Sequence, residues 1–210
     1  MKLADFFIGA IVWVSASHWV YANDSDIKQQ REWFAQAEAE AEKGSYQTVE
    51  KWRQKLGDYP LFPYVELAYL KNHAFLSNKT RIRDFLSVYE GTPLDWPLRD
   101  KWLNYLAKQN KPLLYINDFK PTSDAELNCY YLRSELAIGA KVKSLSEQIK
   151  ALWVVGKSQP KACDPLFDVW QKAGLRDTQT VKQRIVQAAD GGSHTLIPYL
   201  TGLLPEKDQS

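Results

Sequence analysis

Two cysteines, three histidines and one methionine are all that the 210 residues hold of the side chains that most often bind metals or carry redox chemistry. Neither cysteine lies in a Cys-x-x-Cys pair, and no His-x-x-x-His or His-Glu pair exists, so the usual four-ligand metal sites are excluded and no metal or cofactor is expected. A phosphate-cradling Gly-x-x-x-x-Gly-Lys loop and a dinucleotide fingerprint are absent too. Charge of one sign is scarce: 27 Lys and Arg stand against 25 Asp and Glu. Without a clustered basic stripe, nucleic acid is a poor partner. Long apolar runs are also missing, and with a mean hydropathy of −0.42 the chain cannot be a polytopic membrane protein. The hydrophobic share is 45% and the aromatic share 13%, enough for a sizeable core and too much for a disordered chain.

The one stretch of concentrated hydrophobicity is at the start. Met1-Lys2 precedes an apolar run from Phe6 to Val14, and Val20-Tyr21-Ala22 places compact residues before the polar Asn23-Asp24-Ser25-Asp26. That run has the length of a signal-peptide core and is too short to span a bilayer. Cleavage after Ala22 and export are the natural reading. Asp5 is atypical for a signal, and a retained anchor or a buried helix are the alternatives. The expected organisation is a signal peptide over 1–22 and one helical domain over 23–210, with no membrane span after cleavage. Export favours a structural disulfide between Cys129 and Cys163 over two buried free thiols, because disulfides persist outside the cytosol.

Past Asp24 the apolar spacing keeps returning to 3.6 and hardly ever to 2. Ser25 and Asp26 are expected to cap a helix carrying Ile27, Phe34, Ala37 and Ala41 up to Gly44. Val49, Trp52 and Leu56 mark a second helix, and Tyr64 to Phe75 a third, entered through Pro60 and Pro63. Ile82, Phe85, Leu86 and Tyr89 form a fourth; Leu98, Trp102, Tyr105 and Leu106 form a fifth after the break from Pro93 to Pro97. Leu113 to Phe119 is a shorter sixth, opened by Pro112. Ser123 and Asp124 cap a helix closed by Gly139, and Leu145, Ile149, Leu152 and Trp153 mark one closed by Gly156. Leu166, Val169, Trp170 and Ala173 precede Gly174; Val181, Ile185 and Ala188 precede Gly191; Leu196 to Leu204 is the last. About eleven short helices in antiparallel pairs make an all-α, solenoid-like superhelical array. Without a capping repeat, Leu196, Leu200, Leu203 and Leu204 are expected to be exposed on the last helix and to bring self-association or low stability.

Catalytic signals are sparse. Gly191-Gly192-Ser193-His194 sets a hydroxyl beside an imidazole, but adjacent residues do not supply an oriented base and third group; a C-cap followed by an N-cap explains the run better. No pair of acids stands out for an independent hydrolase. Trp52, Trp102, Trp153 and Trp170 sit at helical spacing with Leu or Val and read as core. Trp33, Tyr59, Phe62 and Tyr64, in or beside the Tyr59-to-Tyr64 turn, are the best candidates for a contact surface.

Three stretches carry a family likeness: Leu56-Gly57-Asp58-Tyr59-Pro60-Leu61-Phe62-Pro63-Tyr64; Glu126-Leu127-Asn128-Cys129-Tyr130-Tyr131; and Leu152 to Trp170. The last includes Leu152-Trp153, Gly156-Lys157-Ser158-Gln159-Pro160, Ala162-Cys163-Asp164, Leu166-Phe167 and Trp170. Together they resemble the amino-terminal superhelical domain of the periplasmic soluble lytic murein transglycosylases. The resemblance implies a disulfide between Cys129 and Cys163 and a place in a ring-shaped helical domain. Here Asn128 precedes the cysteine where the family has an asparagine after it.

The same resemblance implies peptidoglycan as partner and, for the family, cleavage of the β-1,4 bond between N-acetylmuramic acid and N-acetylglucosamine with formation of a 1,6-anhydro ring. A single glutamate serves there as acid and then base, without metal or cofactor. It belongs to a Glu-Ser motif in a lysozyme-like catalytic domain, and these 210 residues contain no Glu-Ser dipeptide. The expectation is therefore a truncated or split transglycosylase with no catalytic residue of its own. It would be inactive without the missing catalytic domain. The alternative is a free-standing periplasmic scaffold that binds glycan strands or a partner protein.

Overall fold

The computed structural model describes residues 24–209, and the proposed export signal lies outside them. Eleven α-helices and four single turns of 3₁₀ helix account for the regular structure, with no strand among the described residues. The helices are α1 (Asp24–Lys43), α2 (Tyr46–Leu56), α3 (Phe62–Asn72), α4 (Lys79–Val88), α5 (Asp95–Lys108) and α6 (Pro112–Asp118). They continue with α7 (Ala125–Ala137), α8 (Val142–Trp153), α9 (Asp164–Lys172), α10 (Thr178–Asp190) and α11 (Ile197–Thr201). Each packs chiefly on its near neighbours in sequence, α1 on α2 and α3, α5 on α6, α6 on α7, α8 on α9 and α10 on α11. The result is the expected all-α superhelical array, and among the described residues no helix is long and apolar enough to cross a membrane.

Two cores run along the array. The first gathers Val49, Trp52, Leu70, Ile82, Trp102 and Tyr115 from α2 to α6; the second gathers Leu145, Ile149, Trp153, Leu166, Trp170 and Leu200 from α8 to α11. Helix α7 is their common wall, giving Leu127 to the first and Cys129 and Leu132 to the second. Its start is fixed by Asp124, whose carboxylate accepts from the Leu127 N–H at 3.0 Å. Past its end, Gly139 takes a φ of 106°, which only glycine adopts without strain. Across the junction, the Tyr115 hydroxyl donates to the Leu127 carbonyl at 2.9 Å.

Cys129 and Cys163 are joined in a disulfide, with Cα atoms 5.0 Å apart and a sequence separation of 34. It pins the turn that opens α9 to the middle of α7, and Arg133 of α7 adds a bond to the Ala162 carbonyl at 3.0 Å. In the chain-entropy description, closing such a loop stabilises the fold by about 4 kcal/mol.

Several local expectations change. Helix α1 already includes Ser25 and Asp26, so neither precedes it as a cap. Helix α3 begins at Phe62, because Pro63 sits in its first turn where a missing N–H costs nothing. The same logic lets α5 start at Asp95 with Pro97 in its first turn. On α9 the buried face is Leu166, Phe167 and Trp170, leaving Val169 exposed.

Gly156 does not close α8, which ends at Trp153. It instead lets the backbone lie against α10: a Cβ there would stand 2.2 Å from the Gln187 carbonyl oxygen. After α10 the left-handed glycine is Gly192, not Gly191. The terminal leucines are not left open. Leu200 and Leu204 are buried in the second core, and Leu196 and Leu203 are packed against it, because the chain folds back through short turns instead of running on as one helix. The self-association expected from an exposed leucine face therefore loses its basis.

Candidate functional site

The four aromatic contact candidates fall at the corner of α1, α2 and α3 in different environments. Phe62 is 4% exposed, sealed by the Arg53 guanidinium 4.4 Å from its ring centroid. Trp33 is half-buried beneath the Lys55 ammonium, 4.4 Å from its ring. Tyr59 is also half-buried, its ring 5.7 Å from that of Phe34. Tyr64, 39% exposed, has the most open ring of the four. Early entry into α3 explains the difference, since starting at Phe62 turns that side chain inward with Val65 and Tyr69.

A second region, unsuspected from the sequence, lies in the second core. Trp153 closes α8 and is buried, its ring centroid 6.0 Å from that of Trp170, whose indole N–H donates to the Ser146 hydroxyl at 2.9 Å. The Arg184 guanidinium of α10 sits over Trp153 at 4.5 Å from the ring centroid, and that of Arg176, from the α9–α10 loop, at 5.2 Å. They line a cleft of about 460 Å³, with Asp164, Asp168 and Tyr199 among the other walls. That volume is within the usual range of ligand pockets, roughly 300–1,000 Å³. Burial pulls both guanidiniums below the ordinary arginine pKa; Tyr199 opposes the shift at both and Asp168 opposes it at Arg176, while the charge of Arg176 pushes Arg184 further down. Both remain cations at neutral pH, as arginine does in proteins. The signal that could have located Arg184 is its register: three residues after Val181 and four before Ala188, it stands on the buried stripe of α10.

A third cluster, in the first core, is internally satisfied. Arg99 donates through Nε to Asp95 Oδ1 at 2.7 Å and through Nη1 to the Asp118 carbonyl at 2.7 Å. Asp118 in turn accepts from the Trp102 indole at 2.8 Å and pairs with Arg83 at 3.0 Å. Such closure marks a structural network. Among the described residues no three His, Cys, Asp or Glu side chains come together as a metal site.

No family model matches the chain. A 192-residue stretch, 90% of the chain, is 29% identical to the soluble lytic murein transglycosylase of Salmonella typhimurium, and equally to that of Escherichia coli K12. The chain is a homologue of the soluble lytic murein transglycosylases. It spans 29% of the length of these curated relatives. Solved structures agree with the match. The 70-kDa soluble lytic transglycosylase of Escherichia coli superposes with a TM-score of 0.72 at 28% identity, over 86% of this chain and 29% of that one. An inactive mutant of the lytic transglycosylase Slt from Pseudomonas aeruginosa gives 0.73 at 32% identity, over 84% and 29%. This transglycosylase homologue thus shares the helical architecture of those enzymes along nearly its whole described length.

Proposed function

We propose that these residues form a peptidoglycan-handling helical domain that works in the periplasm and binds murein without cleaving it. The observation that carries this reading is the transglycosylase match along 192 residues, supported by a superposing helical array with a TM-score of 0.72. Murein is the polymer named for those relatives, and a solenoid that follows their architecture offers a surface for the same polymer. Export through residues 1–22 fits the short basic start, the apolar run and the Ala22 boundary, and the Cys129–Cys163 disulfide suits an oxidising compartment. The sequence holds no Glu-Ser dipeptide, so cleavage through the family's acid–base glutamate is not a property of these 210 residues.

The test is incubation of the purified chain with isolated murein sacculi, followed by sedimentation and analysis of the soluble products. Retention in the pellet with no 1,6-anhydromuropeptides released is the expected result. Loss of the chain to the supernatant contradicts binding, and released anhydromuropeptides contradict the non-cleaving assignment.

A further inference from the structure

Two arginines inside one folded unit can be compared. Arg99 is 3% exposed and its charge is met by Asp95 and by the Asp118 carbonyl. Arg184 is 5% exposed, yet among the described residues it makes no ion pair and a single hydrogen bond, from Nη2 to the Lys157 carbonyl at 3.3 Å. Its Nε is sealed from solvent and has no partner. Beside it Arg176 brings a second cation to the same Trp153 ring, with no ion pair within 4 Å among the described residues and with Asp168 as a more distant countercharge. Buried charges are costly unless paired and hydrogen-bonded, and two adjacent cations raise that cost. A fixed pair of guanidiniums at the wall of an open cleft is therefore built for an anion supplied from outside.

The chemistry of the cleft narrows the anion. Asp164 and Asp168 line it as well, which disfavours a dianion such as phosphate and tolerates a single carboxylate. The ring of Tyr199, 60% exposed, supplies apolar surface next to the charges, as a peptide end requires. We propose that this cleft binds a peptide through a free carboxylate, met by Arg176 at the open side, with Arg184 supplying charge from behind and Trp153 holding both guanidiniums in place. The identity of that peptide rests on the peptidoglycan reading, where it is the short peptide attached to the glycan strand. The site is at the second core, away from the α1–α3 corner that the aromatic sequence pattern singles out.

The experiment is calorimetric titration of the full chain with three probes: a disaccharide tetrapeptide from murein, the same compound with its carboxylates methylated, and the peptide-free disaccharide with its lactyl carboxyl amidated. The acid form binds, and both other probes bind at least about ten-fold more weakly, as loss of a charge-assisted hydrogen bond implies. R176Q lowers affinity for the acid form by on the order of ten-fold at unchanged melting temperature and does not alter the response to the methylated form. R184K, which keeps the charge and loses the planar fork, gives a smaller loss. Equal binding of acid and methylated forms, or no effect of R176Q, overturns the assignment, as does a failure of all three probes to bind. If sacculi retain the chain while acid and methylated probes bind alike, the cleft assignment fails and the peptidoglycan reading stands. If sacculi do not retain it while an N-acetyl dipeptide acid binds and its amide does not, the carboxylate site stands and the murein source fails.

Discussion

The indole of Trp102 donates to Asp118 Oδ2 at 2.8 Å, between two side chains that are both buried. The bond ties the middle of α5 to the last residue of α6. Asp118 anchors the surrounding network twice more, through its carbonyl to Arg99 and its other oxygen to Arg83. Replacing it by alanine keeps the Arg99 bond to the backbone but orphans the indole N–H, a loss of about 2 kcal/mol. The Arg83 pair adds little, since that arginine is half-exposed. D95A is the harsher change, because it leaves the Arg99 charge buried without its carboxylate, at about 3–5 kcal/mol. Urea unfolding followed by circular dichroism should rank the midpoints wild type, D118A, then D95A.

Reducing the Cys129–Cys163 disulfide should loosen the second core far more than the first. The bond joins α7 to the turn before α9, and most of its 34-residue loop lies on the second-core side. The expected loss is about 4 kcal/mol, with amide exchange accelerating in α8 and α9 before α2 or α3. Hydrogen exchange with and without reductant measures it, and uniform acceleration across both cores would count against the two-core division.

Glycine at 156 is a matter of space. G156A places a methyl group 2.2 Å from the Gln187 carbonyl oxygen, so the α8–α9 connection must move away from α10. The expected cost is about 1–3 kcal/mol, typical of overpacking. G57A has open space around it and meets only the strain of a φ of 55°, about 1 kcal/mol. Thermal melts of the two variants distinguish contact from conformation, since only G156A should also disturb the neighbouring Arg184 to Lys157 bond.

Acid should destabilise the fold through particular carboxylates. The Trp52 indole N–H, then Gln36, holds the Glu40 carboxyl below its ordinary value of 4.5. Hydrogen bonds from Thr180 at the start of α10 hold Asp177 below its ordinary 3.8. A depressed folded-state pKa means stability that is present above the unfolded value and lost as pH falls through the folded one. Melting temperature should therefore be flat from neutral pH to about 5 and fall below it as these groups protonate. In W52F the fall contributed by Glu40 is reduced, and a slope identical to wild type would show that the indole bond does not shift that group.

The helices with strong 3.6 periodicity and punctuated ends were readable from sequence: α2 from Val49, Trp52 and Leu56, and α7 from Asp124 and Gly139. What the periodicity could not supply was the fate of charged residues on buried stripes. Arg99 finds its second partner in Asp118, 19 residues away, and Arg184 of α10 reaches over the Trp153 ring at the end of α8; local spacing contains neither relationship. Phe62 turns inward for a different reason. Its flanking prolines suggest a surface turn, whereas Pro63 fits the first turn of α3 and carries Phe62 inward. The position of Gly156 similarly depends on α10, so a rule built on local helix ends reads it as a cap.

The most direct measurement is a binding isotherm of the chain on purified murein sacculi by co-sedimentation, with an unrelated helical protein of similar size and charge as control. Murein binding predicts saturable retention of the chain, release by excess soluble muropeptides, and no retention of the control. Retention equal to that of the control at every sacculus concentration would contradict it.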